Sequence, residues 1–411
     1  MSEWKEVKLG ECITTKKGFA FKSALYTPKG VPVVRVSDFT LNSITDKDLV
    51  YYPVSEYNNY KDYVLTEKDI LVQTVGSWQY NPNSVVGKVV RVPYYHQGSL
   101  LNQNIVKIIP IECIDKDYLY YRIKCVDFSG YVIGEARGAA NQASITLDTI
   151  KRFAFLLPPK DVQERIGATL SRYDSLIENY QKQIKLLEEA AQRLYKEWFV
   201  DLHFPGHENT KIIDGVPEGW EKKKVREIGK VITGKTPSTS KKEYYGGQIP
   251  FITIPDMHTG IYPTSSQFLS DLGANSQSGK FIPANSLMVS CIGTAGLVCI
   301  TKEECQTNQQ INSLVLNDNS LLYYMYNTFL SLKEHLNNIG SNGATMTNVN
   351  KSKFESIEIL IPNNSISNLY NKAVEQSFRG IKTLSSQICL LTEARDRLLP
   401  KLMSGEIEMK V

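Results

Sequence analysis

Residues 229–236 read GKVITGKT and match the pattern G-x-x-x-x-G-K-[ST]. In a P-loop this pattern follows a buried strand and opens a long helix, so that backbone N–H groups and the lysine hold the phosphates of ATP or GTP. Alone, it predicts a nucleotide-dependent enzyme. The flanks do not fit, because the following PSTSKKEYYGG cannot form a long helix and the preceding WEKKKVREIGK is too charged for a buried strand. We therefore interpret Gly234–Thr236 as a turn that presents Lys235 to a phosphate or a partner.

Histidines and cysteines are scattered along the chain. His203 and His207 are four residues apart, but Phe204-Pro205-Gly206 breaks the helix that would put both on one face. The seven cysteines form no C-x-x-C, as is typical of reduced, mostly buried thiols in a cytoplasmic chain.

The N-terminus lacks the apolar stretch of a signal peptide, and no apolar run approaches the ~18 residues of a membrane span. The net charge of +4 permits a nucleic-acid partner without requiring one.

These residues lie in a chain that contains an internal repeat. Five segments recur in the same order: 4–10 and 220–229, 30–39 and 247–257, 69–76 and 285–293, 101–108 and 307–314, 153–159 and 357–363. The offset drifts from 216 (Trp4 to Trp220) to 204 (Pro158 to Pro362), as insertions and deletions in a duplicated domain would produce. The counterpart of GKVITGKT is read as ECITTKKG at 11–18, which has no P-loop pattern.

Each copy predicts a mixed α/β globule of about 150 residues. Runs rich in Val, Ile, Thr, Phe and Tyr alternate with Gly, Pro, Asn and Ser clusters, which indicates strands and turns. Segments 117–126 and 320–336 are predicted to be helical.

A heptad pattern follows each globule. The first is Ile166, Leu170, Tyr173, Ile177, Tyr180, Ile184, Leu187, Ala191, Leu194 and Trp198. The second is Tyr370, Val374, Ser377, Ile381, Leu384, Ile388, Leu391, Arg395, Leu398 and Leu402. Asp161 and Glu164 suggest a capping box at the first helix, and Pro400 should bend or end the second. We expect an antiparallel intramolecular coiled coil; two independent surface helices, or self-association between chains, are the alternatives.

The predicted fold is therefore α+β: two similar α/β globules joined by two long helices that form an antiparallel coiled coil, with a pseudo-two-fold repeat. We predict a first globule over residues 1–159, a central helix over 160–202, a linker and second globule over 203–362, and a C-terminal helix over 363–411. A helix from Gln163 to Trp198 would span ~54 Å and hold the globules a fixed distance apart. Two unlike heads on a fixed spacer suit an asymmetric DNA target. A coiled-coil scaffold with carbohydrate- or protein-binding heads is the alternative.

Three segments carry a family resemblance: TGKTPSTSKKEYYGGQIPFITIPDM (233–257), LYKEWFVD (194–201) and RLLPKLMSGEI (397–407). Together with the order globule, helix, globule, helix, they resemble the specificity subunit of a Type I restriction-modification system over essentially the whole chain. The resemblance implies two target-recognition domains that read a bipartite, asymmetric double-stranded DNA target. It implies as partners two modification (adenine methyltransferase) subunits and restriction/translocase subunits.

The resemblance also implies a chain that is not an enzyme. The nearest approach to the [DNS]-P-P-[YFW] motif of adenine methyltransferases is NPNS at 81–84, which lacks the second proline and the aromatic residue. S-adenosylmethionine, ATP and Mg²⁺ are expected on the partner subunits, with no cofactor or metal in this chain. A specificity chain without its own enzyme complex, acting as a scaffold or decoy, is a further alternative.

In such domains, polar side chains on loops read base edges and Lys or Arg bind phosphates. In the first globule the predicted DNA-binding residues are Lys16, Lys17, Lys22, Ser77, Trp78, Gln79, Tyr80, Asn81, Arg137, Asn141 and Gln142. In the second they are Lys235, Ser238, Thr239, Lys241, Lys242, Tyr244, Ser341, Asn342, Thr345 and Thr347. Trp78 could stack on DNA or anchor the core. Asn102-Gln103 and Asn308-Gln309, which recur in both globules, are predicted to be scaffold.

Overall fold

The computed structural model describes residues 4–40, 42–78, 84–138, 142–341 and 347–409. The chain divides into two compact units, one formed by Met1–Ser175 with Thr392–Val411 and the other by Leu176–Leu391. Each unit contains one globule and a part of each long helix. We call the globules the first head (residues 4–157) and the second head (residues 203–361).

The first head contains a four-stranded and a three-stranded sheet. The four-stranded sheet is antiparallel, with the order Ile13–Lys17, Ile105–Pro110, Ile70–Gln73, Val89–Arg91. The three-stranded sheet is mixed, with the order Val50–Tyr52, Val31–Val34, Leu100–Leu101. Two strand pairs complete the head, Lys5–Lys8 with Ala154–Leu157 and Val75–Gly76 with Ala143–Ser144. Its α-helices are Lys116–Lys124, Val126–Gly134 and Leu147–Arg152.

The second head repeats this plan. Its four-stranded sheet has the order Gly229–Thr233, Ile311–Leu316, Leu287–Ser290, Val298–Ile300, and its three-stranded sheet Gln267–Leu269, Tyr245–Ile252, Gln306–Thr307. The strand pairs are Glu221–Lys224 with Glu358–Ile361 and Ile212–Ile213 with Val216–Pro217. The α-helices are Val225–Ile228, Ile254–Met257, Asp271–Asn275, Leu322–Ser331, Lys333–Gly340 and Lys351–Glu355.

Matching details show that the repeat in sequence is a repeat of fold. The parallel pairing of Val31–Val34 with Leu100–Leu101 corresponds to that of Tyr245–Ile252 with Gln306–Thr307. Asp38 and Asp256, each 3% exposed, accept the N–H of the residue three positions earlier at 2.8 Å. In both heads, this buried carboxylate closes the turn that follows the central strand of the three-stranded sheet.

One predicted alignment, ECITTKKG with GKVITGKT, is two residues out of register. Strand Ile13–Lys17 is the counterpart of Gly229–Thr233, so Gly18 stands where the second head has Gly234. The N–H of Gly18 donates to the Ile105 carbonyl, and that of Gly234 to the Ile311 carbonyl, both at 3.0 Å.

Gly234 is required by close packing of two backbone segments. A Cβ at Gly234 would collide with the backbone of Thr307 and Asn308, and a Cβ at Gly18 would collide with that of Leu101 and Asn102. The glycine in the P-loop pattern thus has a structural cause that both heads share.

Two long helices are present, as predicted. The central helix is Lys160–Tyr195, continued by a π-helical turn over Lys196–Val200, and the C-terminal helix is Asn364–Met403. All twenty predicted seam positions are buried or partly buried. Since the central helix begins at Lys160, Asp161 lies in its first turn and does not cap it; its carboxylate pairs with Arg165 at 3.6 Å. Pro400 lies in the last turn of the C-terminal helix.

The helices pack in antiparallel fashion within each unit. In the unit of the second head, Tyr370 Oη donates to the Ala191 carbonyl at 3.3 Å, and Gly380 faces Leu187. The residue numbers of the two helices therefore run in opposite directions along the contact. In the other unit, Ile166 and Leu170 of the central helix and Leu402 of the C-terminal helix belong to the core of the first head. The helices are therefore parts of the two head cores.

Candidate nucleic-acid interface

Parts of the predicted loops of each head lie at one end of its four-stranded sheet. In the second head, Thr233 pairs with Asn312, and Ser290 pairs with Ile311. Two strands therefore end where a third begins. We call this end of the sheet, where Lys17 lies in the first head and Thr233 in the second, the loop edge.

In the first head, the loop edge joins segments that are far apart in sequence. Lys17 is exposed at the end of its strand. Val75–Gly76 pairs with Ala143–Ser144, and Arg137 forms a bridge to Ser144. Exposed Gln142 therefore lies beside Ser77, the next residue after Gly76, and exposed Arg137 lies on the other side of the strand Ala143–Ser144.

The other predicted residues of this head have different surroundings. Lys16 lies with its Nζ 3.7 Å from Asp62 and 4.6 Å from the centre of the Tyr63 ring, so its charge is already partnered. Lys22 is exposed just before the 3-10 turn Ser23–Leu25. Trp78 is partly buried and packs against the core of the first head, as its interpretation as a core anchor requires.

In the second head, the predicted residues 235–244 are mostly exposed. Lys235, Ser238, Thr239, Lys241 and Lys242 are all on the surface. Lys241 Nζ donates to the hydroxyl of Tyr244 at 3.0 Å and lies 4.9 Å from its ring centre. That hydrogen bond raises the pKa of Lys241 above its ordinary value.

Another predicted segment of the second head reaches the loop edge at Thr347. The carbonyl of Thr347 accepts the N–H of Gly293 at 3.0 Å, and Ile292 forms a bridge to Asn348. Ser341 is exposed, and its hydroxyl donates to the Asn337 carbonyl at 2.5 Å. Six of the predicted DNA-binding residues lie outside the described part of the chain: Gln79, Tyr80, Asn81, Asn141, Asn342 and Thr345.

Sequence reasoning missed the hairpin over residues 291–296, which follows Leu287–Ser290 and carries exposed Gly293 and Thr294 at the loop edge. It is the counterpart of the hairpin that contains the predicted Ser77 and Trp78. The repeat of 69–76 in 285–293 was the available signal, because a loop chosen in one copy has an equivalent in the other.

The P-loop pattern does not form a phosphate cradle. Gly229–Thr233 pairs antiparallel with Ile311–Leu316, and the next helical element after it is the short 3-10 turn Lys242–Tyr244. The hydroxyl of Thr236 donates to Gln309 Oε1 at 2.6 Å. A parallel strand that opens into a long helix, the context the pattern needs, does not occur at this place.

His203 and His207 face each other with their ring centres 5.3 Å apart. Nδ1 of His207 lies 2.9 Å from the Phe204 carbonyl oxygen. Within the described ranges, no group of three or more His, Cys, Asp and Glu side chains is placed to hold a metal ion. Over the same ranges, no helix combines the length and the apolar character needed to cross a membrane.

Comparisons with known proteins agree with this architecture. The Type I restriction modification DNA specificity domain matches residues 1–189 and 217–389. The specificity subunit of the Type I restriction enzyme HindI from Haemophilus influenzae is 30% identical, over 99% of this chain and 100% of that protein. The MjaIX specificity subunit from Methanocaldococcus jannaschii is 29% identical over 75% of this chain and 73% of its own. The crystal structure of the S subunit from M. genitalium has the same fold, with a TM-score of 0.60, 16% identity and coverage of 99% of this chain and 97% of that one.

Proposed function

The chain belongs to the family of Type I restriction-modification specificity subunits and has two target-recognition domains; we propose that its heads read the two halves of a bipartite, asymmetric DNA target. One observation carries this proposal: the heads share strand order and register but differ at the loop edge. Between equivalent strand ends, the first head inserts residues 74–86 and the second only 291–295. Similar scaffolds with unlike loops suit two unlike half-sites.

The exposed cations and the exposed polar side chains of the two heads have different proposed roles. Cations bind phosphates and supply affinity that depends on salt, while polar loop side chains hydrogen-bond base edges and supply specificity. Lys17 and Arg137 in the first head and Lys235, Lys241 and Lys242 in the second are the proposed phosphate-binding residues. The proposed base-reading side chains are Ser77 and Gln142 in the first head and Ser238, Thr239, Ser341 and Thr347 in the second.

The chain acts as a non-catalytic adaptor in this proposal. It selects the DNA sequence, and two modification subunits methylate adenine in the target that it holds. Restriction/translocase subunits join the same complex. S-adenosylmethionine, ATP and Mg²⁺ belong to those partners, and the cytoplasm is the expected compartment. The family membership and the absence of a P-loop context at Gly229–Thr236 support this assignment.

A genome-wide map of DNA methylation tests this function. The chain is expressed with its modification subunit in a host without DNA methylation, and N6-methyladenine is mapped by single-molecule sequencing. A split, asymmetric motif with a fixed gap is the expected result. A stable complex that leaves no motif would refute DNA recognition and favour the scaffold or decoy function. The same complex carrying a catalytically dead modification subunit is the control for background signal.

A further inference from the structure

In each head, a buried polar residue at the end of a strand makes side-chain hydrogen bonds to the loop-edge hairpin that follows it. In the first head this residue is Gln73, whose side chain is 0% exposed. Its N–H donates to the Lys88 carbonyl, and its carbonyl accepts from Gly87, both at 2.9 Å. These two backbone bonds join the ends of segment 74–86, of which residues 79–83 lie outside the described part of the chain.

The side chain of Gln73 reaches further into the same hairpin. Its Nε2 donates to the carbonyls of Val75 and Ser84, both at 2.9 Å. The two strands of the hairpin are also joined by the hydroxyls of Ser77 and Ser84, 2.8 Å apart. One amide group therefore ties the outgoing and the returning segment to the end of the sheet.

Ser290 has the equivalent place in the second head, because it pairs with Ile311 as Gln73 pairs with Ile105. Its N–H donates to the Leu297 carbonyl at 2.9 Å, and its own carbonyl accepts from Gly296 at 3.0 Å. Gly87 and Gly296, the glycines that close the two hairpins, have φ of +81° and +91°. Both are in the region that favours glycine.

The shorter side chain of Ser290 makes the equivalent hydrogen bonds in the second head. Its hydroxyl donates to the Thr294 carbonyl at 2.6 Å and accepts the N–H of Leu297 at 2.8 Å. A hydroxyl suffices for the segment of five residues, 291–295, whereas the segment of thirteen residues, 74–86, takes the longer amide of Gln73.

Fold stability alone does not account for these residues. Both are 0% exposed in strands whose other positions are buried and mostly apolar, so an apolar residue would pack there. Gln73 Oε1 is buried without a hydrogen-bond partner among the described residues, which costs free energy. Since neither side chain reaches the surface, neither touches DNA.

We propose that Gln73 and Ser290 are positioning residues for DNA readout, each of which sets where its own hairpin meets the bases. The hairpin side chains that they place are Ser77 in the first head and Thr294 in the second. The inference rests on the proposed function. A recognition loop that shifts on its sheet no longer reaches the base edges, while phosphate binding elsewhere on the head persists. Each residue therefore controls specificity at one half-site only.

The test uses the complete complex with its modification subunits and compares discrimination between correct and single-mismatch sites. Gln73→Met keeps the length of the side chain and removes both ties, and Ser290→Ala removes the hydroxyl. Each should lower discrimination by about tenfold at one half-site and leave the other at the wild-type value. The two variants should affect opposite halves, and binding to non-specific DNA should be unchanged.

Two controls separate positioning from general damage. Ser313 is also 0% exposed and lies in the same sheet as Ser290, and its hydroxyl makes no hydrogen bond to a loop among the described residues. Ser313→Ala should therefore keep wild-type discrimination at both half-sites. Ser290→Thr keeps the hydroxyl and should restore discrimination. Unchanged discrimination in Gln73→Met and Ser290→Ala, or an equal decrease at both halves, would overturn the proposal.

Amide hydrogen exchange tests the ties without DNA. In Gln73→Met, the N–H groups of Ser77 and Val86 should exchange at least about tenfold faster while that of Leu71 keeps its wild-type rate. Equal protection of the hairpin in both proteins would refute the role of Gln73, even if the variant is inactive. If the wild-type complex leaves no methylation motif, the proposed function fails. The exchange measurement then still tests whether the Gln73 side chain holds the hairpin.

Discussion

Arg395 of the C-terminal helix lies 2.5 Å from Asp174 of the central helix, and only 6% of its side chain is exposed. Asp174 also accepts a hydrogen bond from Tyr121 Oη at 2.6 Å, so one carboxylate joins both helices to the first head. Burial disfavours the charge of the guanidinium, but the attraction of Asp174 and Asp396 outweighs it and raises the pKa of Arg395. The charged residue of the predicted seam thus forms an ion pair with the other helix.

Replacing this arginine should destabilise the protein strongly. In Arg395→Leu the carboxylate of Asp174 stays in a largely buried place without its cation, which costs about 3 kcal/mol of unfolding free energy. The control is Arg379→Leu, because Arg379 forms an exposed pair with Glu375 at 2.8 Å on the same helix. That surface pair should contribute less than about 1 kcal/mol. Thermal melting measures both; equal melting temperatures would show that the buried pair does not stabilise the seam.

The sequence predicts regular features better than the partners of single polar residues. The heptads placed all twenty seam positions correctly, since a period of 3.5 needs only local spacing. Arg395 broke the pattern, and its partner Asp174 could not be found because the pair joins helices separated by the second head. Gln73 was missed for a related reason: its tie to Ser84 exists only after the hairpin closes.

Stability above neutral pH should depend on Lys88. Its side chain is 8% exposed, and burial lowers its pKa from 10.5 to about 8. Between these values the unfolded chain binds more protons than the folded one, so this residue makes stability rise as pH increases from about 8 to about 10.5. Lys88→Leu, which copies Leu297 of the second head, should lack this rise. Melting temperatures of both proteins across that range give the difference; a constant difference would contradict the shifted pKa.

Gly234 should be intolerant of any side chain for a structural reason. A Cβ would collide with the backbone of Thr307 and Asn308, so Gly234→Ala should cost about 1–3 kcal/mol of unfolding free energy. Gly279→Ala in the same head is the control, because no atom lies within 4 Å of its Cβ position. Lys235→Ala should melt like the wild type. A fluorescent ATP analogue should bind none of these proteins; saturable binding that disappears in Lys235→Ala would restore the P-loop interpretation.

Lys241 and Lys242 should supply affinity that does not depend on DNA sequence. Both are exposed beside Tyr244, so their ammonium groups can reach a phosphate. Lys241→Gln with Lys242→Gln should weaken binding to specific and non-specific duplexes alike. The slope of log K against log salt should fall by about 0.9 for each phosphate that the variant no longer neutralises. Lys222→Gln, which removes one exposed charge on the strand Glu221–Lys224, is the control and should leave the slope unchanged. An unaltered slope in the double variant would exclude phosphate binding by both lysines, whereas a change of specificity at one base position would make them readers of sequence.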